Sequence, residues 1–371
     1  MSLRFLHAAD LHLDSPFEGL PARKAAVRRG EQRELLARMA ELVEREKLQL
    51  VLLSGDLLDS DNTYYETGEE LIRSLGSIRV PVFIAPGNHD YYSDSSPYAR
   101  LALPENVHVF KRSEIECVYL PELNVRVYGA AFVEKRSRPL LTLFKAAPKT
   151  AGQLDLLCLH GDYGVRESIY NPISEAELIA SGVDYAALGH VHKASGLRRA
   201  GSVWYSWPGC PEGRGFDETG EKTVSVVELD GAHCELKPVC LAKRRYEVLR
   251  VNVTGSDPLL AVHTLLTDET VRDVYRVILT GEVAAPPDLS RLQRNLEEFF
   301  FELQLRDETH LQQGVWDRAG EDTLRGLFLM KLRERYDAAR SEAERRQIEQ
   351  AARWGLAALD NREEVVRHDD P

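Results

Sequence analysis

Five short clusters of metal-binding side chains punctuate the first half of this 371-residue chain. They are Asp10-Leu-His12, Gly55-Asp56-Leu-Leu-Asp59, Gly87-Asn88-His89-Asp90, His160-Gly-Asp162 and Gly189-His190-Val-His192. Imidazoles, carboxylates and an Asn carbonyl, with no thiolate among them, suit Mn²⁺, Fe²⁺, Mg²⁺ or Zn²⁺ bound octahedrally better than a closed thiolate zinc site. Seven candidate ligands, Asp10, His12, Asp56, Asn88, His160, His190 and His192, exceed what one ion takes from protein. Two ions sharing a bridging carboxylate account for them. Such a pair, typically ~3.5–4 Å apart, clamps the attacking and leaving oxygens of an in-line displacement at phosphorus. One Asp-x-His or His-x-His alone reads as a turn or a surface pair; five clusters in this order carry the signal. Of the 11 histidines, His7, His108, His233, His263, His310 and His368 fall outside the clusters and read as core or surface residues.

Each cluster sits at the carboxyl end of a predicted strand. Apolar runs of strand length occur at 3–9, 48–54, 80–85, 124–132, 154–159 and 184–188, and amphipathic helical patterns at about 30–46 and 64–75 separate the first three. This is a βαβαβ start, hence an α/β fold with parallel strands, whose binding crevice lies beyond the strand carboxyl ends. Ser174-Glu-Ala-Glu177 is a capping box, and Gly182 stands where the same helix needs its terminal glycine. Residues 195–240 read as short strands with Gly and Pro turns. After Lys243-Arg244-Arg245 comes a second βαβαβ pattern of about sixty residues. From Glu321 onward the pattern is helical, with Leu324, Leu327, Phe328 and Leu332 on one face and Ile348, Ala351, Ala352, Leu356 and Leu359 on another. A helical hairpin packed on its own domain is the expectation for these stripes, with partner docking the alternative. Residues 361–371 read as a solvated tail.

The ordered set D-x-H, G-D-x-x-D, G-N-H-D, H, G-H-x-H resembles the calcineurin-like metallophosphoesterases. The opening Phe5-Leu-His-Ala-Ala-Asp-Leu-His-Leu-Asp-Ser-Pro-Phe17 is similar to that of the SbcD-type double-strand-break repair nucleases, particularly the YhaO-like branch. Pro208-Gly-Cys-Pro-Glu212 and Gly215-Phe-Asp-Glu-Thr-Gly-Glu-Lys222 are similar to the segment that follows the last metal motif there. The resemblance implies a four-layer α/β/β/α sandwich over residues 1–242, a small α/β capping domain over 243–306 and a C-terminal helical segment, 307–371, where the family docks a coiled-coil SbcC-like ATPase. It also implies that Asp10, His12, Asp56 and His192 hold one ion. Asp56 then bridges to a second, held also by Asn88, His160 and His190, most commonly manganese. His89 is left free of metal to steady or protonate the leaving oxygen. Asp90 orients its neighbours, and Asp59 stands where archaeal and eukaryotic relatives carry histidine, so its role stays open. Asp14 and Asp162 are near the site by sequence and read equally as loop-capping or outer groups and as catalytic ones.

Composition narrows the setting. With 43% hydrophobic and 29% charged residues, the chain is an ordinary globular protein rather than a disordered one. No apolar stretch reaches the ~20 residues of a membrane span, and the first nine residues lack a signal-peptide core. The five cysteines show no C-x-x-C spacing and are expected as reduced thiols in the cytoplasm. A net charge of −12 argues against coating nucleic acid by bulk charge, yet two bound dications would make the crevice locally positive. Basic clusters occur at Arg23–Arg33, Lys135–Arg138, Lys193–Arg199 and Lys243–Arg245. Lys193, Arg198 and Arg199, nearest a metal cluster, are the chosen DNA phosphate contacts. The stretch 215–223 approximates a P-loop, but Glu221 intrudes before Lys222, so a turn is expected there rather than a nucleotide site. The expected function is a two-metal DNA exonuclease or endonuclease of repair, with DNA, an ATPase subunit and a second copy of the chain as the partners considered. The alternatives are a phosphoesterase of nucleotides or other small phosphorylated substrates, and a silent scaffold for an ATPase.

Overall fold

A computed structural model describes residues 2–60, 63–311, 316 and 318–359. It divides into two compact units, Met1–Arg245 and Tyr246–Pro371.

In the first unit the strands are, in chain order, β1 (Leu3–Ala8), β2 (Leu50–Leu53), β3 (Val82–Ile84), β4 (Val107–Val109), β5 (Glu116–Leu120), β6 (Val125–Gly129), β7 (Leu154–His160), β8 (Tyr185–Gly189), β9 (Arg198–Ala200), β10 (Val203–Ser206), β11 (Thr223–Leu229) and β12 (Cys234–Cys240). They form two six-stranded sheets, ordered β12-β11-β1-β2-β3-β4 and β5-β6-β7-β8-β10-β9. Side chains alternate across each strand, and both faces of each sheet are used. Phe5, Leu50, Leu52 and Phe83 of the first sheet pack with Val125, Val127, Leu156, Cys158 and Tyr185 of the second. The intervening Leu6, Val51, Leu53, Val82 and Ile84 turn outward. They meet Leu35, Met39 and Leu42 of α1 (Ala22–Arg45) and Leu71 and Leu75 of α2 (Tyr65–Ser77). On the far side, Leu157, Leu159, Ala186 and Leu188 pack with Leu178 of the helix Glu175–Ser181. The result is the expected four-layer α/β/β/α sandwich.

The core strands were legible because they are apolar on both faces. The structure adds β4 and β5, whose mixed burial gives no such run. The first helix starts at Ala22, eight residues before the predicted position. Its first turns are basic, and Arg28 is fully buried by ion pairs to Glu31 at 2.8 Å and Glu212 at 2.7 Å rather than by an apolar surface. The Ser174 capping box forms as expected, and Gly182 closes that helix at φ 68°.

The second unit carries β13 (Tyr246–Asn252), β14 (Val274–Val283) and β15 (Glu302–Leu311) as a parallel sheet in that order. Val251, Val277, Leu279, Leu292, Leu296 and Leu303 form its core with the crossover helices. Two longer helices, Leu324–Ala338 and Glu342–Leu359, follow. Here the predicted stripe is corrected: Leu324 and Leu327 are exposed, whereas Leu329 is fully buried with Leu311, Trp316, Ala352 and Leu356. Trp316 and Tyr336 stack 5.4 Å apart, and Leu332 packs on the edge of the same cluster. The buried face thus runs through Leu329, Leu332 and Tyr336. The predicted tail at 361–371 lies outside the described residues.

Candidate metal centre

Both sheets feed one crevice. Asp10 and His12 follow β1, Asp56 follows β2, Asn88 and His89 follow β3, His160 ends β7, and His190 and His192 follow β8. Within the second sheet, His160 pairs in register with Gly189, which brings His190 alongside it. Backbone hydrogen bonds run the loops after β1 and β2 side by side, with Asp10 N–H donating to the Gly55 carbonyl and His12 N–H to that of Asp56 (3.0 and 2.9 Å). Asp10, His12, Asp56 and His190 all adopt positive φ, at 54°, 44°, 51° and 97°. L-residues rarely accept this conformation, and such strain concentrates where a structure must aim a functional side chain.

Two glycines show how tight the junction is. A Cβ on Gly87 would overlap the Asp56 carboxylate, and one on Gly189 would overlap the Ser54 carbonyl. Asp90, fully buried, acts as a staple. Its carboxylate accepts from the backbone N–H groups of Gly87 (2.7 Å), Asp56 (3.2 Å), Leu57 (2.7 Å) and Leu58 (3.3 Å), and from the Tyr98 hydroxyl. The two loops that carry Asp56 and Asn88 are therefore held by one side chain.

Three sets of ligand atoms lie within 4.8 Å of one another: Asp10, His12 and His192; Asp56, His160 and His190; and His12, Asp56 and His89. Asn88 Oδ1 joins the second, 3.0 Å from His160 Nε2 and 3.1 Å from His190 Nδ1. The outer nitrogens of the rings have oxygen partners. His12 Nδ1–H donates to Asp59 Oδ1 (3.0 Å), His192 Nδ1–H to Glu218 Oε1 (2.7 Å) and His160 Nδ1–H to the Ser54 carbonyl (2.9 Å). His190 Nε2 lies 3.3 Å from Asp162. These partners assign the proton to the outer nitrogen and leave a lone pair on the inner one, as in histidines that hold metal.

The inner atoms then crowd together as acceptors. His12 Nε2 and His192 Nε2 are 3.1 Å apart, His160 Nε2 and His190 Nδ1 3.2 Å, and Asp56 Oδ2 is 3.3 Å from His160 Nε2. Acceptor atoms this close are reconciled by a shared proton or by a bound cation, and the donor set, imidazoles with carboxylates and an amide oxygen, fits divalent metal. The charges are divided: although burial opposes them, Asp56 and Asp10 raise the His160 ring to about 9, so without metal it holds a proton that an ion would displace. Burial, together with Asp56, pushes the Asp10 carboxyl up to about 7 against the pull of His160. Although burial works the other way on Asp56, His160 and His12 hold it well below the usual carboxylate range. Burial lowers His12 and His190 to about 4, which keeps their rings neutral, the form that binds metal.

His89 is only half covered. Its backbone N–H donates to Asp56 Oδ1 (2.9 Å), its Nδ1–H donates to the Asp59 carbonyl (3.0 Å), and its ring meets His12 edge-on at 4.7 Å. Asp59 therefore touches both histidines, its carboxylate on His12 and its carbonyl on His89. Asp14 accepts from Tyr64 N–H at 3.0 Å and caps that loop. Of the chosen phosphate contacts, Lys193, Arg198 and Arg199 are all exposed, and the Arg199 guanidinium lies 4.7 Å over the Trp204 ring.

Two functional groups escaped the sequence. Glu218, within the stretch expected to be a turn, reaches into the site to hold His192. Arg214 binds Glu218 at 2.8 Å and Asp59 at 3.3 Å. Together they tie the acidic loop to the His12 side. The only available signal was the density of acids between Gly215 and Gly220, which spacing alone cannot aim.

A sandwich of this topology, with ligands at five strand ends, defines a class. The family model for calcineurin-like phosphoesterases matches residues 3–194, and the chain belongs to that family of metal-dependent phosphoester hydrolases. Among individual relatives, it is 26% identical over 331 residues to the metallophosphoesterase YhaO of Bacillus subtilis, covering 85% of this chain and 80% of that one. It is 28% identical over 267 residues to the DNA double-strand break repair protein Mre11 of Aeropyrum pernix, covering 67% and 64%. Against the SbcD component of the nuclease SbcCD of B. subtilis the identity is 22% over 270 residues, covering 61% and 66%. The chain thus spans a little under two thirds of the last two. Among the described residues no helix is long and apolar enough to cross a membrane.

Proposed function

We propose that this chain is a two-metal phosphodiesterase that cuts DNA, as an exonuclease or endonuclease of repair in the cytoplasm, working with a coiled-coil ATPase subunit. The observation that carries the phosphodiesterase reading is the set of inward lone pairs on four histidines, shared between two groups that meet at Asp56. Asp10, His12, Asp56 and His192 would hold one ion, and Asp56, Asn88, His160 and His190 the other. Manganese is the ion we favour for this oxygen and nitrogen donor set. Bound there, two divalent ions supply Lewis acidity to the phosphoryl group and lower the cost of ionising water.

The residues of the chain do the rest. Asp59 fixes the His12 tautomer and, through its carbonyl, the orientation of His89. That anchor leaves His89 Nε2 uncommitted, half exposed beside the cluster; with both ring nitrogens protonated, Nε2–H is the group able to give a proton to the leaving oxygen, the ring returning to its Nδ1–H form. Asp90 keeps Asp56 and Asn88 in register. DNA as substrate is supported by similarity to Mre11 and to SbcD, and a partner subunit by the latter's being one component of the nuclease SbcCD.

End-labelled single- and double-stranded DNA, digested with Mn²⁺ or Mg²⁺ by the wild type, Asp56→Ala and His89→Ala, tests this reading. Cleavage by the wild type, its loss in Asp56→Ala, and metal retention without turnover in His89→Ala are the expected results. Turnover of small phosphodiesters with no DNA cleavage, with or without a co-purifying ATPase, contradicts the nuclease. Full activity of a metal-loaded His89→Ala contradicts the proton-transfer role.

A further inference from the structure

Two long loops of the second sheet border the metal centre on the His160 side. One follows β6, from residue 130 onward, and the other follows β7, from residue 161. They are stitched together and to the site. Ser137 N–H donates to the Ile169 carbonyl (2.8 Å), and Asn171 N–H to the Ser137 carbonyl (2.9 Å). The Asn171 side chain accepts from Leu140 N–H and donates to the His160 carbonyl, each at 2.7 Å. Tyr170 lays its ring 5.2 Å from that of His190. The inner edge of this pair of loops is therefore a wall of the candidate metal centre.

Its outer edge is chemically distinct. Lys135, Arg136, Arg138 and Arg166 are exposed or half-buried, and among the described residues none of them lies within 4 Å of a carboxylate oxygen. Other arginines of the same unit are tied down, Arg28 to Glu212, Arg126 to Asp155 and Arg214 to Glu218. Two carboxylates, Glu134 and Glu167, share the edge, so four cations outnumber them. Between the charges stand apolar side chains that the core does not use: Val133, Val165 and Ile169 are 43%, 53% and 45% exposed. Exposed cations with apolar side chains beside them suit a nucleic-acid backbone, which presents phosphates separated by sugar faces.

We propose that residues 133–138 and 165–170 form a DNA-backbone-binding rim that leads a strand past Tyr170 to the Asp56, His160 and His190 side of the metal centre. This rests on the nuclease reading above. The placement favours DNA over an acidic protein, because the rim and the candidate ligands share one wall.

The test uses the full chain and fluorescein-labelled 30-mer DNA, single- and double-stranded, with Ca²⁺ in place of Mn²⁺ during binding. The variants are the quadruple Lys135→Ala, Arg136→Ala, Arg138→Ala, Arg166→Ala and a charge-retaining quadruple in which each Lys becomes Arg and each Arg becomes Lys. Thermal melting and metal content of each variant establish that it folds. The alanine variant is expected to bind duplex at least tenfold more weakly and to lose about 3.6 from the slope of log Kd against log salt, roughly 0.9 for each of four phosphate contacts. The charge-retaining variant is expected to keep the wild-type slope. A folded alanine variant with wild-type affinity and slope overturns the rim while leaving the nuclease standing, and points to an acidic protein as the occupant. A wild type that hydrolyses bis-p-nitrophenyl phosphate but neither binds nor cuts DNA overturns both.

Discussion

The two sides of the candidate metal centre are built from the same ligand chemistry but supported differently. On the Asp10, His12 and His192 side, the outer nitrogens rest on charged side chains, Asp59 and Glu218, which Arg214 links. On the Asp56, His160 and His190 side, His160 rests on a main-chain carbonyl at Ser54, and its own carbonyl is held by Asn171. Main-chain support is fixed by the sheet. Side-chain support depends on a loop, residues 212–218, that is itself anchored by buried Arg28 through Glu212. The first side holds both of its histidines through side chains; on the second, His160 is set by the strands, and the side-chain handles are Asp162 beside His190 and Asn171 on the His160 carbonyl.

The largest effect should come where the sides meet. Asp56→Ala removes the carboxylate shared by both groups, so metal analysis by mass spectrometry should find both ions lost together, with turnover of a small phosphodiester down about a thousandfold. Loss of only one ion would mean that the sides are independent.

Next is the main-chain side. Gly189→Ala should drive a Cβ into the Ser54 carbonyl that orients His160. Overpacking of this kind costs about 1–3 kcal/mol. A lowered melting temperature should accompany weaker metal retention at that side first. An unchanged melting curve would show that the strands yield more easily than their packing suggests.

For the side-chain side, Glu218→Ala should weaken metal affinity by roughly 10–100-fold at one ion only, leaving a tight and a weak site in calorimetric titration. Equal weakening of both sites would erase the distinction between them.

The smallest effect is a pH dependence of the loop anchor. Glu31 pairs with Arg28 and Arg244; although burial opposes them, hydrogen bonds and charge from Arg244 and Arg28 lower its carboxyl below the ordinary 4.5. A depressed carboxylate binds fewer protons folded than unfolded. Its contribution is therefore full above pH 4.5 and disappears as pH falls through the folded value. Melting of wild type and Glu31→Gln should differ by about 1 kcal/mol near neutrality and converge as pH falls below 4.5 through the lowered folded value. A gap that persists in acid would exclude the ion pair as its source.

Much of the frame was readable from sequence because buried parallel strands announce themselves as apolar runs, and because the ligand clusters fall at their ends. All seven candidate ligands converge for that reason. The groups that were missed share a different physics. Arg28 is buried by charge pairing, so its helix turn read as solvent-facing. Glu218 and Arg214 act through a loop whose path no periodicity predicts, and β4 and β5 are half-exposed edge pieces. In the first of the two C-terminal helices the predicted stripe missed the buried centre, because Phe328, which it included, packs only at the edge of the cluster, while the neighbouring Leu329 fills the middle.

Anomalous diffraction from crystals soaked in Mn²⁺ bears most directly on the paired centre. Two manganese peaks about 3.5–4 Å apart are predicted, one among Asp10, His12 and His192, the other among Asn88, His160 and His190, with Asp56 touching both. A single peak, or two peaks that do not share Asp56, would contradict it.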